Sequence, residues 1–201
     1  MSLLDAYRLH ISGGTFNQVA GNHTEYRSNI WLYLTYRAPG ITILQRNVSG
    51  DAFYNSEQRF PPPQCHPHTR TAVQNTIQTW ANEGHQAPSV MWLYGPAGTG
   101  KSAVAQTMAE KWAEVDGLAA AFFFGRHRAG GSSGKSLFPT IAYQLAGDIP
   151  QLRRCIALAV EADPAVCDKA LEQQARALII NPAVESNIAT HKPRMVVIDA
   201  Q

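Results

Sequence analysis

The sequence has few cysteines, no long apolar run and no block of like charge, and each absence excludes a class of protein. Its three cysteines, Cys65, Cys155 and Cys167, are too few and too widely spaced for a disulfide framework. The longest apolar runs, Ile30–Tyr36 and Leu118–Phe124, fall well short of the ~18 residues that cross a bilayer. We therefore expect a soluble, cytoplasmic protein with no membrane partner.

The charge of the chain is nearly balanced, which argues against nucleic acid as a partner. Its 17 basic and 15 acidic side chains are scattered, and only Arg153 and Arg154 are adjacent basic residues. Such a distribution lacks the basic stripe that binds a phosphate backbone. With 201 residues and 45% hydrophobic content, the chain is long enough for one buried domain and a tail.

Residues 1–46 are predicted to form a leader of low complexity. Within it, Ile11–Asn22 is rich in Gly, Asn and Gln, so this segment either stacks as cross-β or stays disordered. The aromatic run Ile30–Leu44 is broken at Pro39 and Gly40. We interpret it either as an isolated strand pair or, over residues 30–43, as translated intron. Residues 47–68, which include three consecutive prolines, are predicted to link this leader to the domain.

Residues 69–201 are predicted to form an α/β domain. Helical spacing of apolar residues alternates here with short apolar runs, which are typical of strands buried on both faces of a parallel sheet. The predicted helices are about Thr69–Asn82, about Lys101–Gly117, Leu137–Ala146, Pro150–Ala162 and about Ala165–Ile179, and the predicted strands are Val90–Tyr94, Leu118–Phe124 and Met195–Ile198.

The strongest motif is GPAGTGKS, which meets every fixed position of a phosphate-binding loop. Its glycines let backbone amides converge on an anion, Lys101 offers a cation to the β- and γ-phosphates, and the Ser102 hydroxyl is a Mg²⁺ ligand. The following helix adds the positive end of its dipole. The predicted nucleotide-binding residues are Gly95, Pro96, Ala97, Gly98, Thr99, Gly100, Lys101 and Ser102.

A second Gly-Lys-Ser sequence, at Gly134-Lys135-Ser136, fails the same test. The pattern requires a glycine at position 129, where this chain has Ala129. We therefore interpret the segment as a surface loop and do not assign Lys135 to the nucleotide.

An acidic residue completes the predicted site. Asp199 follows four apolar residues, Met195–Ile198, as expected of a carboxylate at the tip of a buried strand that holds Mg²⁺ together with Ser102. Lys101 and Asp199 are thus the candidate catalytic residues, with ATP or GTP and Mg²⁺ as cofactors. No acid follows Asp199 to activate water, so the sequence predicts nucleotide binding and leaves hydrolysis open.

Together these segments resemble a known family. GPAGTGKSAVAQTMAE, AAAFFFGR, PTIAYQLA and RMVVIDA, preceded by FPPPQCHPHTR, are similar in order and spacing to the NACHT-type, nephrocystin-like NTPase module of large fungal proteins. The resemblance covers about residues 47–200. It implies a three-layer α/β/α fold with a mostly parallel sheet, and a nucleotide-driven switch that self-associates in signalling. Asp199 would be the acid of the second nucleotide motif.

Members of that family continue after this aspartate with a small residue, a leucine and two acids. Here Ala200 fits, but Gln201 departs from the pattern and ends the chain. We therefore expect an incomplete nucleotide-binding domain, in which strand Val90–Tyr94 lacks the neighbour that relatives place between it and Met195–Asp199.

Two other functions compete with the switch. A non-catalytic interaction protein or decoy that associates with full-length relatives is the main alternative. A small-molecule kinase is disfavoured because the arginines at positions 126, 128, 153 and 154 form no convincing lid. A zinc site at Cys65-His66-Pro67-His68 would need further ligands, so this segment is interpreted as the approach to a helix.

Overall fold

The computed structural model describes residues 38–83, 88–125, 134–187 and 194–200. The hypotheses for Ile11–Asn22, and most of the Ile30–Leu44 prediction, lie outside these residues. The helices are α1 Pro39–Gln45, α2 Thr71–Glu83, α3 Lys101–Glu114, α4 Leu137–Asp148, α5 Pro150–Ala162, α6 Leu171–Ala175 and α7 Asn181–Glu185, and the strands are β1 Leu118–Phe123 and β2 Met195–Asp199.

The two strands pair in parallel, which confirms the predicted mixed α/β class. Leu118 lies opposite Met195, and Phe123 lies opposite Asp199. Alternate side chains of β1 point to opposite faces, as in any strand. Ala120 and Phe122 enter the main apolar cluster with α1, α4 and α5, whereas Ala121 and Phe123 pack against α3. Helices therefore cover both faces of β1.

The free edge of β1 is closed by a side chain. The amide of Gln144, on α4, donates to the carbonyl of Ala121 at 2.9 Å and accepts from its N–H at 3.0 Å. These two bonds replace those that a neighbouring strand would make, so at Ala121 the backbone groups facing away from β2 are satisfied.

Segment Val90–Tyr94 is not a strand, contrary to the sequence prediction. Val90, Trp92 and Tyr94 are 75%, 77% and 83% exposed, and within the described residues the sheet contains only β1 and β2. An apolar run becomes a buried strand only when neighbouring backbone pairs with it and helices cover its side chains. Neither condition is met here, so the local pattern alone does not produce a strand.

The prediction of a strand after the break at Pro39 and Gly40 is also wrong, because residues 41–44 lie in α1. Pro39 begins the helix, where a missing N–H costs little, and the Gly40 N–H donates to the Glu161 carboxylate of α5 at 3.1 Å. Ile41 and Leu44 are buried in the main cluster. A Cβ on Gly40 would lie 2.1 Å from the Ala157 carbonyl oxygen, so glycine permits the close approach of α1 to α5.

The predicted helix Ala165–Ile179 is divided into several short elements. Val166–Asp168 is a single 3₁₀ turn, and α6 passes through a π-helical stretch, Arg176–Ile180, into α7. Pro182 has no N–H to donate to the carbonyl of Leu178. Widening of the preceding turn accommodates this proline without ending the helix.

Two helical glycines give a test of the packing between α1 and α5. Gly40→Ala should lower the free energy of unfolding by about 1 to 3 kcal/mol, because the new methyl group collides with the backbone of α5. Gly147→Ala in α4 is the matched control, because a Cβ at this position meets open space. This substitution should stabilise the helix by about 0.5 to 1 kcal/mol. Urea denaturation measures both. Equal effects of the two substitutions would contradict the close approach.

Candidate functional site

The candidate site is built around the glycine loop, Gly95–Ser102, which leads directly into α3. Gly98 and Gly100 have φ of 78° and 82°, a left-handed conformation that favours glycine. The Thr99 hydroxyl donates to the Pro96 carbonyl at 2.9 Å and closes the loop on itself. Nothing lies within 4 Å of a Cβ built on Gly98, so this part of the loop borders open space.

Lys101 points back into the glycine loop. Its ammonium donates to the carbonyls of Gly95 and Pro96, both at 2.8 Å. An ammonium has three N–H donors and no acceptor. The loop therefore holds a positive charge against its own backbone, where an anion would compete with the two carbonyls for that charge.

The N-terminus of α3 has the character of an anion site. Gly100 is its N-cap and supplies no side-chain hydrogen bond, and no acidic residue lies in the first turn of this 14-residue helix. Its first amides and the positive end of the dipole therefore meet no carboxylate from within the helix. Together with the open space at Gly98, this arrangement fits a phosphate group.

Arg70, which the sequence analysis did not single out, contacts the same loop. Its guanidinium donates to the Gly100 carbonyl at 3.1 Å, and a Cβ on Gly100 would lie 1.9 Å from its Nη1. Arg70 itself has φ of 54°, which is unusual for a residue other than glycine. The only sequence feature that could have indicated this role is the position of Arg70 just before α2, in the segment His66–Arg70. No spacing rule connects that position to the loop.

The orientation of α3 decides which strand ends lie near the loop. At one end, the Gly117 N–H donates to the Trp112 carbonyl at 2.8 Å and the Met195 N–H donates to the Gly117 carbonyl at 2.9 Å. The end of α3 therefore adjoins the start of both strands. Nearer its beginning, Ala105 packs in the same cluster as Phe123 and Val197. Helix α3 thus runs antiparallel to β1 and β2.

This orientation places the glycine loop and Asp199 at the same edge of the sheet. From Trp112 back to Ser102 the helix rises about 15 Å, and from Met195 to Asp199 the strand rises roughly 13 Å in the same direction. Ser102, in the first turn of α3, and Asp199, at the carboxyl end of β2, are thus on one side. In sheets of parallel strands, this is the edge at which ligands bind.

Asp199 is 93% buried and lies in a polar cluster that the sequence analysis did not predict. The Arg59 guanidinium interacts electrostatically with this carboxylate and donates to Gln106 of α3 at 3.0 Å. Burial lowers the pKa of Arg59, and the Asp199 charge opposes that shift. A carboxylate oxygen is a ligand that Mg²⁺ prefers in proteins, so Asp199 is one candidate ligand. The Ser102 hydroxyl is the other candidate ligand.

The remaining candidate residues lie elsewhere. Lys135 is exposed in the turn Gly134–Ser136 that leads into α4. The Cys65 N–H donates to the Thr107 hydroxyl at 3.0 Å, whereas the side chains of His66 and His68 are exposed. In the part of the chain that the structure describes, no three His, Cys, Asp or Glu side chains are grouped so that they could hold a metal.

An apolar cavity lies between α4, α5 and the α6–α7 region. Its volume is about 300 Å³. Arg194, its only charged lining residue, donates to the Asp148 carboxylate at 3.0 Å. Arg194 directly precedes β2, so the cavity lies toward the end of that strand opposite Asp199. The other lining residues are Leu145, Ile149, Leu152, Ile156, Leu178, Ile179 and Ala183.

These features define a mixed α/β protein with a glycine loop and a buried carboxylate at one edge of a parallel sheet. The family model described as nephrocystin 3, N-terminal, matches residues 70–201, about two thirds of the chain. The chain belongs to this family. It has no match among the curated proteins or among the solved structures. None of the described helices has the length and apolar character needed to span a membrane.

The contact between Arg70 and the glycine loop can be tested with a double-mutant cycle. Gly98→Ala and Gly100→Ala should each cost about 1 to 2 kcal/mol in free energy of unfolding, because both force alanine into a left-handed conformation. Gly100→Ala should cost more, since it also displaces Arg70. In an Arg70→Ala background that excess should vanish. If the excess persists, Arg70 does not depend on the space above Gly100.

Proposed function

We propose that this chain is the nucleoside-triphosphate-binding module of a NACHT-type signalling NTPase, with ATP or GTP and Mg²⁺ as its ligands. The observation that carries the proposal is the placement of the glycine loop and Asp199 at the same edge of the sheet. The loop, with Lys101 and the start of α3, which has no acidic residue in its first turn, supplies the chemistry for phosphate. Asp199 and Ser102 supply oxygen ligands for Mg²⁺.

Each residue has one proposed role. Lys101 exchanges the carbonyls of Gly95 and Pro96 for β- and γ-phosphate oxygens, and the loop amides bind the same phosphates. When bound, Mg²⁺ would neutralise charge on these phosphates. In this proposal β1 and β2 are two strands of a three-layer phosphate-loop NTPase fold. The presence or absence of the triphosphate would then set the conformation of the loop and act as a switch.

The first test compares the two Gly-Lys-Ser lysines. Lys101→Ala should weaken Mg²⁺-dependent binding of a fluorescent ATP or GTP analogue at least tenfold, about 1.4 kcal/mol, because it removes the charge in the loop. Lys135→Ala is the matched control and should leave affinity unchanged, since Lys135 is exposed at the start of α4. Fluorescence anisotropy measures both. Equal affinities for wild type and Lys101→Ala would refute nucleotide binding by the loop.

A second candidate function, association with itself or with full-length relatives, is favoured by the exposed apolar surface. Trp92 and Tyr94 are 77% and 83% exposed, and Val196 and Ile198 of β2 are 44% and 49% exposed. Exposed apolar side chains that form a contiguous patch are typical of an interaction site. Such association needs no nucleotide and could be the whole function of a non-catalytic protein.

Sedimentation velocity distinguishes the two functions. If association is the function, Trp92→Ser and Ile198→Ser should shift the chain toward monomer, because they remove exposed apolar surface. Lys101→Ala should leave the distribution unchanged. If the sedimentation coefficient instead follows nucleotide addition and Lys101, association belongs to the nucleotide switch. A chain that is monomeric at all concentrations, alone or mixed with a full-length relative, would exclude this second function.

A further inference from the structure

A cationic side chain from outside the glycine loop lies over the ring of Phe123, the residue that pairs with Asp199. Arg59 ends the 3₁₀ turn Glu57–Arg59, in a segment that the sequence predicts to be only a linker. Its guanidinium carbon lies 3.9 Å from the centre of the Phe123 ring, and its Nη2 donates to Gln106 at 3.0 Å. One planar group thus meets an aromatic face of β1 and an amide of α3.

Strand register brings Asp199 to the same point. Phe123 lies opposite Asp199 in the parallel pair, and the Phe124 N–H donates to the Asp199 carbonyl at 3.1 Å. A guanidinium over the Phe123 ring is therefore near the last residue of β2, and the Asp199 charge opposes the lowering of the Arg59 pKa by burial. A ring face and a neighbouring carboxylate both attract a guanidinium.

The hydrogen-bond partner of Arg59 is itself fixed. Gln106 is fully buried, and its amide nitrogen donates to the Tyr54 carbonyl and to the Glu110 carboxylate, each at 2.8 Å. These bonds leave the Gln106 oxygen directed toward Arg59. Gln106 lies one helical turn after Ser102, so Arg59 joins the start of α3 to the end of β2.

We propose that Arg59 is a positioning residue that holds Asp199 at a fixed place relative to Ser102, so that the two proposed Mg²⁺ ligands are aligned before the ion arrives. This inference rests on the proposed function of the site. The contacts of Arg59 with Phe123 and Gln106 do not involve Asp199. They would therefore keep the guanidinium in place when the Asp199 carboxylate binds a metal ion. Residues that orient a metal ligand in this way affect metal affinity without touching the ion.

The test is a Mg²⁺ titration of nucleotide binding by the full chain. Arg59→Gln should raise the Mg²⁺ concentration for half-maximal binding of the fluorescent analogue at least tenfold, while binding in EDTA should stay as in wild type. Arg59→Lys keeps the charge but not the planar group, so its effect should be intermediate. If Arg59 merely competes with Mg²⁺ for Asp199, Arg59→Gln would instead lower that concentration. An unchanged or lowered value overturns the proposal.

Arg194→Gln is the matched control, because Arg194 lies at the opposite end of the same strand. Arg194 donates to the Asp148 carboxylate at 3.0 Å and to the Asp116 carbonyl at 3.1 Å. Its loss should affect stability without moving the Mg²⁺ requirement. Should Arg59→Gln fail to fold, Arg59→Lys and Phe123→Leu, which keeps an apolar side chain but removes the ring face, provide the same comparison.

Amide hydrogen exchange separates failure of this inference from failure of the proposed function, since it needs no nucleotide. Arg59→Gln should accelerate exchange at Phe124, whose N–H bonds to Asp199, but not at Met195, whose N–H bonds to Gly117. Arg194→Gln should do the reverse. If wild type binds no nucleotide, the proposed function fails while these rates still test Arg59. Unchanged exchange at Phe124 in Arg59→Gln would refute the positioning role.

Discussion

The packing of α3 on the parallel pair β1–β2 is the constraint on which the rest of the structure depends. Small side chains allow α3 to lie close to β1, because Ala109 of α3 and Ala121 of β1 are both fully buried in the same cluster. Larger residues at these positions would separate helix from sheet. The antiparallel direction of α3 then determines that its first turn and the carboxyl end of β2 share one edge.

Two arginines extend that edge into a site. Arg70 reaches the glycine loop from the start of α2. Arg59, in a 3₁₀ turn further upstream, lies over the ring of Phe123, which pairs with Asp199. Both come from chain segments that precede the loop, so the site depends on residues well outside the phosphate-loop pattern. The Arg59 contacts also have a structural consequence, since the segment before α2 is joined to the core through buried polar bonds. Loss of one partner leaves the other unsatisfied.

The exposed apolar segment before the loop follows from the same geometry. Val90–Tyr94 enters the glycine loop from the outside of the molecule, and its aromatic side chains meet solvent. Val196 and Ile198 of β2 are exposed as well, although neighbouring side chains of β1 on that face are buried under α4 and α5. The covering helices therefore protect β1 and leave apolar surface on β2.

Some segments of the fold can be predicted from the sequence and others cannot. The periods of α2–α5 and the apolar runs of β1 and β2 are local, so the sequence predicts these elements to within a few residues. The run at Val90–Tyr94 has the same local pattern but forms no strand, and Pro39–Leu44 is helical despite its β-branched residues. In both segments the secondary structure depends on the residues that pack against them, and intrinsic propensity carries no information about those tertiary contacts.

The same division holds for the candidate site. The sequence alone identified the glycine loop and Asp199, because each of these is a short pattern of consecutive residues. Only the tertiary structure decided that they lie at one edge, since that requires the direction of α3 and the pairing of β1 with β2. It also brought Arg59 and Arg70 near Asp199 and Gly100, which are 140 and 30 positions away from them in the sequence. The sequence determines the charge of a side chain, but the packing of the folded chain determines which other charges lie near it.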